Sequence, residues 1–242
     1  YDMEKHYYFL RWLIPNSLLI FLAIGAWHYG FLFNLYAYDK SYISTLITII
    51  YLITSLYCLY RMFIISDQIN QSNLIKAMIN SNSNATISVN KNIIEIDEKL
   101  KIDINNYLSE HLRNLINFKK DNNKDKENIL LDLFLDKLKG EIKIGSFISD
   151  SLFKLGLLGT IIGFVLMLQP ISNVNSFDEI SIKNALTAMS AGMSIALFTT
   201  LSGLIGSLLL KVQYYFFENS TEKLFHQVSE LSEIHIKESN IK

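Results

Sequence analysis

The stretch "LGLLGTIIGF", Leu155–Phe164, sets three glycines and a threonine among large apolar residues. Inside a helix, glycine costs roughly 1 kcal/mol relative to alanine. A helix that accepts this cost repeatedly is one whose backbone must come close to another. Gly156, Thr160 and Gly163 follow one another at spacings of four and three, which puts them on one face, with Gly159 beside them. Small residues on one face let helices associate within a membrane, where no hydrophobic force draws them together.

The surrounding run, Leu155–Phe177, contains no Asp, Glu, Lys or Arg, and neither do Trp12–Tyr38, Ser41–Tyr60 and Asn184–Leu210. Each reaches the roughly 20 residues an α-helix needs to cross ~30 Å of hydrocarbon. The fold expected is therefore an all-α integral membrane protein with four transmembrane helices. The first run is too long for a cleaved leader, lacks a small-x-small cleavage site, and is followed almost at once by a second.

Charge gives the orientation. Lys5 and Arg11 precede the first run, Arg61 closes the second, Lys211 follows the fourth, and the long middle segment holds most of the lysines. The two short connections hold only Lys40 and Lys183. The positive-inside rule then places both termini and residues 66–147 in the cytoplasm. A net charge of −1 argues against nucleic acid as a partner.

The first two runs, rich in Leu, Ile, Phe and Tyr, suit an outer hairpin facing lipid. Trp12 and Trp27, with Tyr29, Tyr36 and Tyr38, read as interfacial anchors, and His28 as an interfacial residue beside them. The single cysteine, Cys58, reads as a small packing residue, since one cysteine makes no internal disulfide or thiolate metal site. In the middle segment, Ile93, Ile96, Leu100, Ile104, Leu108, Leu112 and Leu115 recur at threes and fours, which predicts an amphipathic helix. "NFKKDNNKDKEN", Asn117–Asn128, reads as a loop, and Ile129, Leu130, Leu133, Phe134 and Leu138 as a second helical stripe. Asp150 and Lys154, four apart, are expected to share a helix face. Pro170 reads as accompanying the end of the third span. Beyond the fourth, Tyr214–Lys237 predicts an amphipathic helix, with His226 and His235 on different faces. No Cys/His cluster, phosphate-binding glycine loop or nucleophile motif occurs, so neither metal, cofactor nor enzymatic activity is expected.

The fourth span repeats the character of the third. Gly192, Ala196, Thr200, Gly203 and Ser207 form one stripe of small and hydroxyl residues, with Ser190, Ser194, Thr199 and Ser202 nearby. Such stripes serve close packing alone in many membrane proteins, and both readings stand at this point. If the third and fourth spans lie inside and the hairpin outside, repetition about an axis sets the small faces around a polar passage. Neither inner span has a carboxylate in its core. Threonine hydroxyls donate and accept hydrogen bonds but do not titrate, so a proton path needs an acid from another polypeptide.

"GLLGTIIGF" (Gly156–Phe164) and "GMSIALFTTLSGL" (Gly192–Leu204) together resemble the two signature motifs of the MotA/TolQ/ExbB proton-channel family. In the second, the match falls on Gly192, Ala196, Leu197, Thr200, Gly203 and Leu204. Four spans are similar to the flagellar-stator branch and its defence-system relatives. The position where many members carry a proline, eight residues past the fourth-span threonine, is Leu208 here. The resemblance implies a ring-forming subunit of an ion-motive-force-driven rotary motor in the bacterial inner membrane. It implies a homopentamer around two copies of a single-span MotB/ExbD/TolR-like partner carrying the titratable aspartate. Thr160 and Thr200 match the channel-lining threonines. Gly156, Gly159, Gly163, Gly192, Ala196, Gly203 and Ser207 are the close-packing positions.

The organisation expected is a cytoplasmic N-terminus (1–11), an outer hairpin (12–65), a cytoplasmic helical segment (66–147), the inner helices (148–212) and a cytoplasmic amphipathic helix (213–242). The alternative is a non-conducting membrane scaffold that organises a cytoplasmic partner through the polar middle segment.

Overall fold

A computed structural model describes residues 7–30, 33, 36–37, 39, 41–81, 87–90, 93–96, 100–103, 124–172 and 179–230. Its helices are α1 (Tyr7–His28), α2 (Ile43–Ser81), α3 (Lys124–Ser172) and α4 (Glu179–Glu230). At 52 residues, α4 is about 78 Å long, more than twice the ~30 Å of hydrocarbon. α2, α3 and α4 are each long and apolar enough to cross a membrane. The apolar part of α1, Trp12–His28, spans about 25 Å. Half of the remainder of its uncharged run, residues 29–38, lies outside the described residues.

Local chemistry sets the helix ends. α1 closes with Gly30 at φ 70°, and Tyr29 N–H donates to the Gly25 carbonyl at 3.0 Å. That left-handed position is one glycine occupies without steric cost. Before α2, Asp39 accepts from Ser41 N–H at 2.9 Å and Ser44 N–H at 2.7 Å, which satisfies donors that the first helical turn leaves without partners. Past Pro170, α3 runs on to Ser172, so that proline sits in the last turn.

The middle segment departs from expectation. Where the apolar spacing predicts a helix starting at Ile93, the chain forms an antiparallel three-stranded meander: β1 (Ile87–Asn90), β2 (Ile93–Ile96) and β3 (Leu100–Asp103). The register pairs Ile87 with Ile96, Val89 with Ile94, Ile94 with Ile102 and Ile96 with Leu100. Isoleucine and valine are stiff about χ1 and suit strands better than helices. Antiparallel pairing of these aliphatic positions outweighs a stripe in which only Ile93, Ile96 and Leu100 fall within the strands. Ile104, Leu108, Leu112 and Leu115 lie outside the described residues. Lys124–Asn128, expected in a loop, forms the first turn of α3. Among the described residues the architecture is helical apart from this meander.

The chain divides into two compact units. One comprises residues 1–11, 60–142 and 216–242. Its core is Met62, Ile65 and Ile69 of α2, Phe134 and Leu138 of α3, and Phe217, Leu224 and Val228 of α4. Within this bundle the Phe134 and Phe225 rings stack at 6.4 Å, Lys76 pairs with Glu230 at 2.6 Å, and Arg61 pairs with Glu141. The expected stripe is thus half right: Phe134 and Leu138 are buried, while Ile129 and Leu133 are exposed. The C-terminal helix expected from Tyr214 is the unbroken continuation of α4, with His226 exposed. His235 lies outside the described residues.

The other unit holds residues 12–59 and 143–215. Here α1 and α2 run antiparallel, and Trp12, expected as an interfacial anchor, is 2% exposed beside the buried Cys58 thiol. The indole packs inside this unit, beside α2. Trp27 and Tyr29 are exposed, and His28 meets Tyr29 edge-on. Gln213 of α4, 2% exposed, donates to Asn16 of α1 at 2.5 Å and reaches the Tyr51 hydroxyl of α2 at 3.4 Å. These amides bond to one another because an unpaired amide in an apolar interior is costly.

Candidate functional site

α3 and α4 form an antiparallel hairpin with an unusually close seam. A Cβ placed on Gly145 would strike the Tyr214 ring, and one on Gly159 the Thr199 side chain. On Gly163 it would lie 2.5 Å from the Ala196 nitrogen, on Gly192 2.5 Å from the Met167 nitrogen, and on Gly203 2.6 Å from the Gly156 Cα. The facing pairs step in opposite directions: 145 with 214, 156 with 203, 159 with 199, 163 with 196 and 167 with 192. Between the first two, Ser149 Oγ donates to the Ser207 carbonyl at 2.8 Å and lies 3.2 Å from Ser207 Oγ. The small residues singled out by their spacing therefore meet each other within one chain. They fill a seam and do not themselves line an opening.

This contact fixes the helical phase. Thr199, not Thr200, points into the seam; it is fully buried and donates to the Ile195 carbonyl at 2.8 Å. Thr200 lies at the seam's edge, donating to the Ala196 carbonyl at 2.9 Å, with the Gly156 carbonyl at 3.4 Å. Thr160 is half-buried and donates to the Leu157 carbonyl.

The two edge threonines share a position. Each follows by one residue a member of the tightest pair, Gly159 and Thr199. One residue turns the helix by 100° and advances it about 1.5 Å, so in an antiparallel pair the same step carries both to the same side, within about 3 Å of one level. The rule holds along the seam. The residues one past Gly156, Gly163, Gly192, Ala196 and Gly203 are Leu157, Phe164, Met193, Leu197 and Leu204, all exposed. The residues one past Ser149 and Leu210 are Asp150 and Lys211, joined by an ion pair at 2.8 Å. Lys154, expected on the same face of α3, lies one turn on and acts on Asp150 through its charge, while Lys211 makes the direct contact.

The opposite side of the hairpin is occupied. Gly206 faces Ile47 of α2, and Gln213 faces Asn16 and Tyr51. α1 and α2 thus cover one flank. The flank carrying Thr160, Thr200, Asp150 and Lys211 receives no other element among the described residues. That flank offers two hydroxyls at nearly one level, side chains that donate and accept hydrogen bonds but do not titrate at physiological pH. Among the described residues no group of His, Cys, Asp and Glu is arranged to hold a metal.

A family model described as the MotA/TolQ/ExbB proton channel family matches residues 99–230, more than half of the chain, including all of α3 and α4. No curated protein and no solved structure matches the chain.

Proposed function

The chain belongs to the MotA/TolQ/ExbB proton channel family, and from that premise we propose that it is the channel subunit of an ion-driven rotary membrane motor. Five copies surround the membrane helices of two single-span MotB/ExbD/TolR-like partners in a bacterial inner membrane. Four spans leave both termini and residues 66–147 in the cytoplasm. Thr160 and Thr200 border the ion path, and the partner supplies the carboxylate that titrates. Two partner acids inside a ring of five meet unequal surroundings, so a change of charge on one favours a step of rotation.

The observation that carries this reading is the placement of Thr160 and Thr200 at nearly one level, on the flank of the inner hairpin that α1 and α2 leave open.

Thr160→Val and Thr200→Val remove the hydroxyl at nearly constant shape. In the complex reconstituted into vesicles, each is expected to lower ion flux about tenfold or more while the assembly keeps its mass. Wild-type flux in both variants overturns the assignment. The scaffold alternative makes the opposite prediction, because its function persists when the ion gradient is dissipated.

A further inference from the structure

We infer that Asp150 and Lys211 wall a water-filled vestibule on the hydroxyl-bearing flank of the inner hairpin, with the Asp150 carboxylate taking up the ion that has passed Thr160 and Thr200. The inference rests on the channel reading above and adds a titratable station on this chain itself.

Position is the first argument. Asp150 lies ten residues from Thr160 along α3, about 15 Å, and on the same flank, as its ion pair with Lys211 requires. Both side chains are about half exposed. Between the two polar levels the flank is apolar: Phe153 and Leu157 on α3, and Leu204 and Leu208 on α4, all exposed. Hydroxyls, an apolar collar and a charged level therefore succeed one another along one line.

Depth is the second. α2 runs parallel to α4, with Ile47 beside Gly206 and Tyr51 beside Gln213. Lys211 is thus level with residues 49–52 of α2, while it directly follows the uncharged run Asn184–Leu210 as Lys154 directly precedes Leu155–Phe177, so the pair stands where the two inner runs end. On α2 at this level Ile49, Leu52, Ile53 and Leu56 are exposed, as lipid contact demands. A lysine and an aspartate level with those apolar residues, at the ends of the inner runs and turned away from α1 and α2, require water beside them on that flank. Ionisable groups at membrane depth face a bundle interior or a water-filled cavity, and they mark ion paths.

The chemistry closes without a co-reactant. A proton arriving through water binds an Asp150 oxygen, displacing part of the Lys211 contact, and leaves to bulk water, restoring the pair. Among the described residues, the charged groups facing this carboxylate are Lys211 on α4 and Lys154 one turn on along α3.

The test uses the full chain assembled with its partner in inverted vesicles. In a Cys58→Ala background, Phe153→Cys is expected to react with a membrane-impermeant charged thiol reagent, and Leu56→Cys to resist it. Equal resistance at both positions overturns the vestibule. Asp150→Asn is expected to lower ion flux by a factor of about ten to a hundred at unchanged complex mass, with Asp150→Glu restoring it. Lys211→Gln is expected to move the pH dependence of flux upward, because a carboxyl without its cation binds protons at higher pH; a merely structural pair leaves that profile in place. If Thr160→Val abolishes flux and Asp150→Asn does not, the inference fails and the channel reading stands. If neither variant changes flux, the channel reading fails with it.

Discussion

At Asp39 one carboxylate organises the start of α2. It accepts from the Ser41 hydroxyl at 2.5 Å as well as from the backbone of Ser41 and Ser44. Burial by itself would raise its pKa, but the hydrogen bonds from Ser41 and Ser44 together outweigh that and hold the carboxyl below its ordinary value. The linkage follows in sign. The folded state prefers the charged form, so this stabilisation is present above the unfolded pKa and is lost as pH falls through the lowered folded value. Asp39→Ala is expected to cost about 0.5–2 kcal/mol, and its deficit relative to wild type should vanish at acid pH. Thermal unfolding of the detergent-solubilised protein at neutral and acid pH reads this directly; a deficit independent of pH would assign the loss to packing. Nothing in the spacing of apolar residues points to Asp39. An aspartate followed by serines two and five residues on is a helix-start signal, legible only once the start of α2 is known.

At the scale of the elements, the two inner helices are held by what their glycines lack. A methyl group at Gly163 would meet the backbone of Ala196, which cannot yield without moving a helix. Gly163→Ala is therefore expected to destabilise by about 1–3 kcal/mol. Gly140, in the same helix, has nothing within 4 Å of its absent Cβ. Gly140→Ala is expected to stabilise by about 0.5–1 kcal/mol. Unfolding of the two variants in parallel separates the glycine that permits contact from the one that only loosens α3; a gain at both positions would mean the seam is slack. Sequence spacing finds the small residues of this seam, because three-and-four periodicity is a property of one helix. It does not find that Thr199 enters the seam while Thr200 stands at its edge, since adjacent residues differ by 100° and the partner's position sets the phase. The meander at Ile87–Asp103 escapes for a related reason. Apolar residues at threes and fours suit a helix, and only pairing between strands decides otherwise.

At the scale of the molecule, an open flank on the inner hairpin predicts that the chain does not act alone. The intact purified complex is expected to weigh several copies of the 27.9 kDa chain plus a smaller single-span subunit; a monodisperse monomer with no second protein would contradict this. The sequence by itself determined that this is a membrane protein and, through two motifs, the family to which it belongs. Hydrophobic run length and glycine spacing are properties of contiguous residues, and they survive without knowledge of contacts. Only the tertiary structure decided which faces meet. It buried Trp12, joined Asp150 to Lys211 across the hairpin, and brought Thr160 and Thr200 to one flank that no other described element covers. Each of these depends on the phase and stagger of helices far apart in the chain, which side-chain packing fixes and local sequence does not encode.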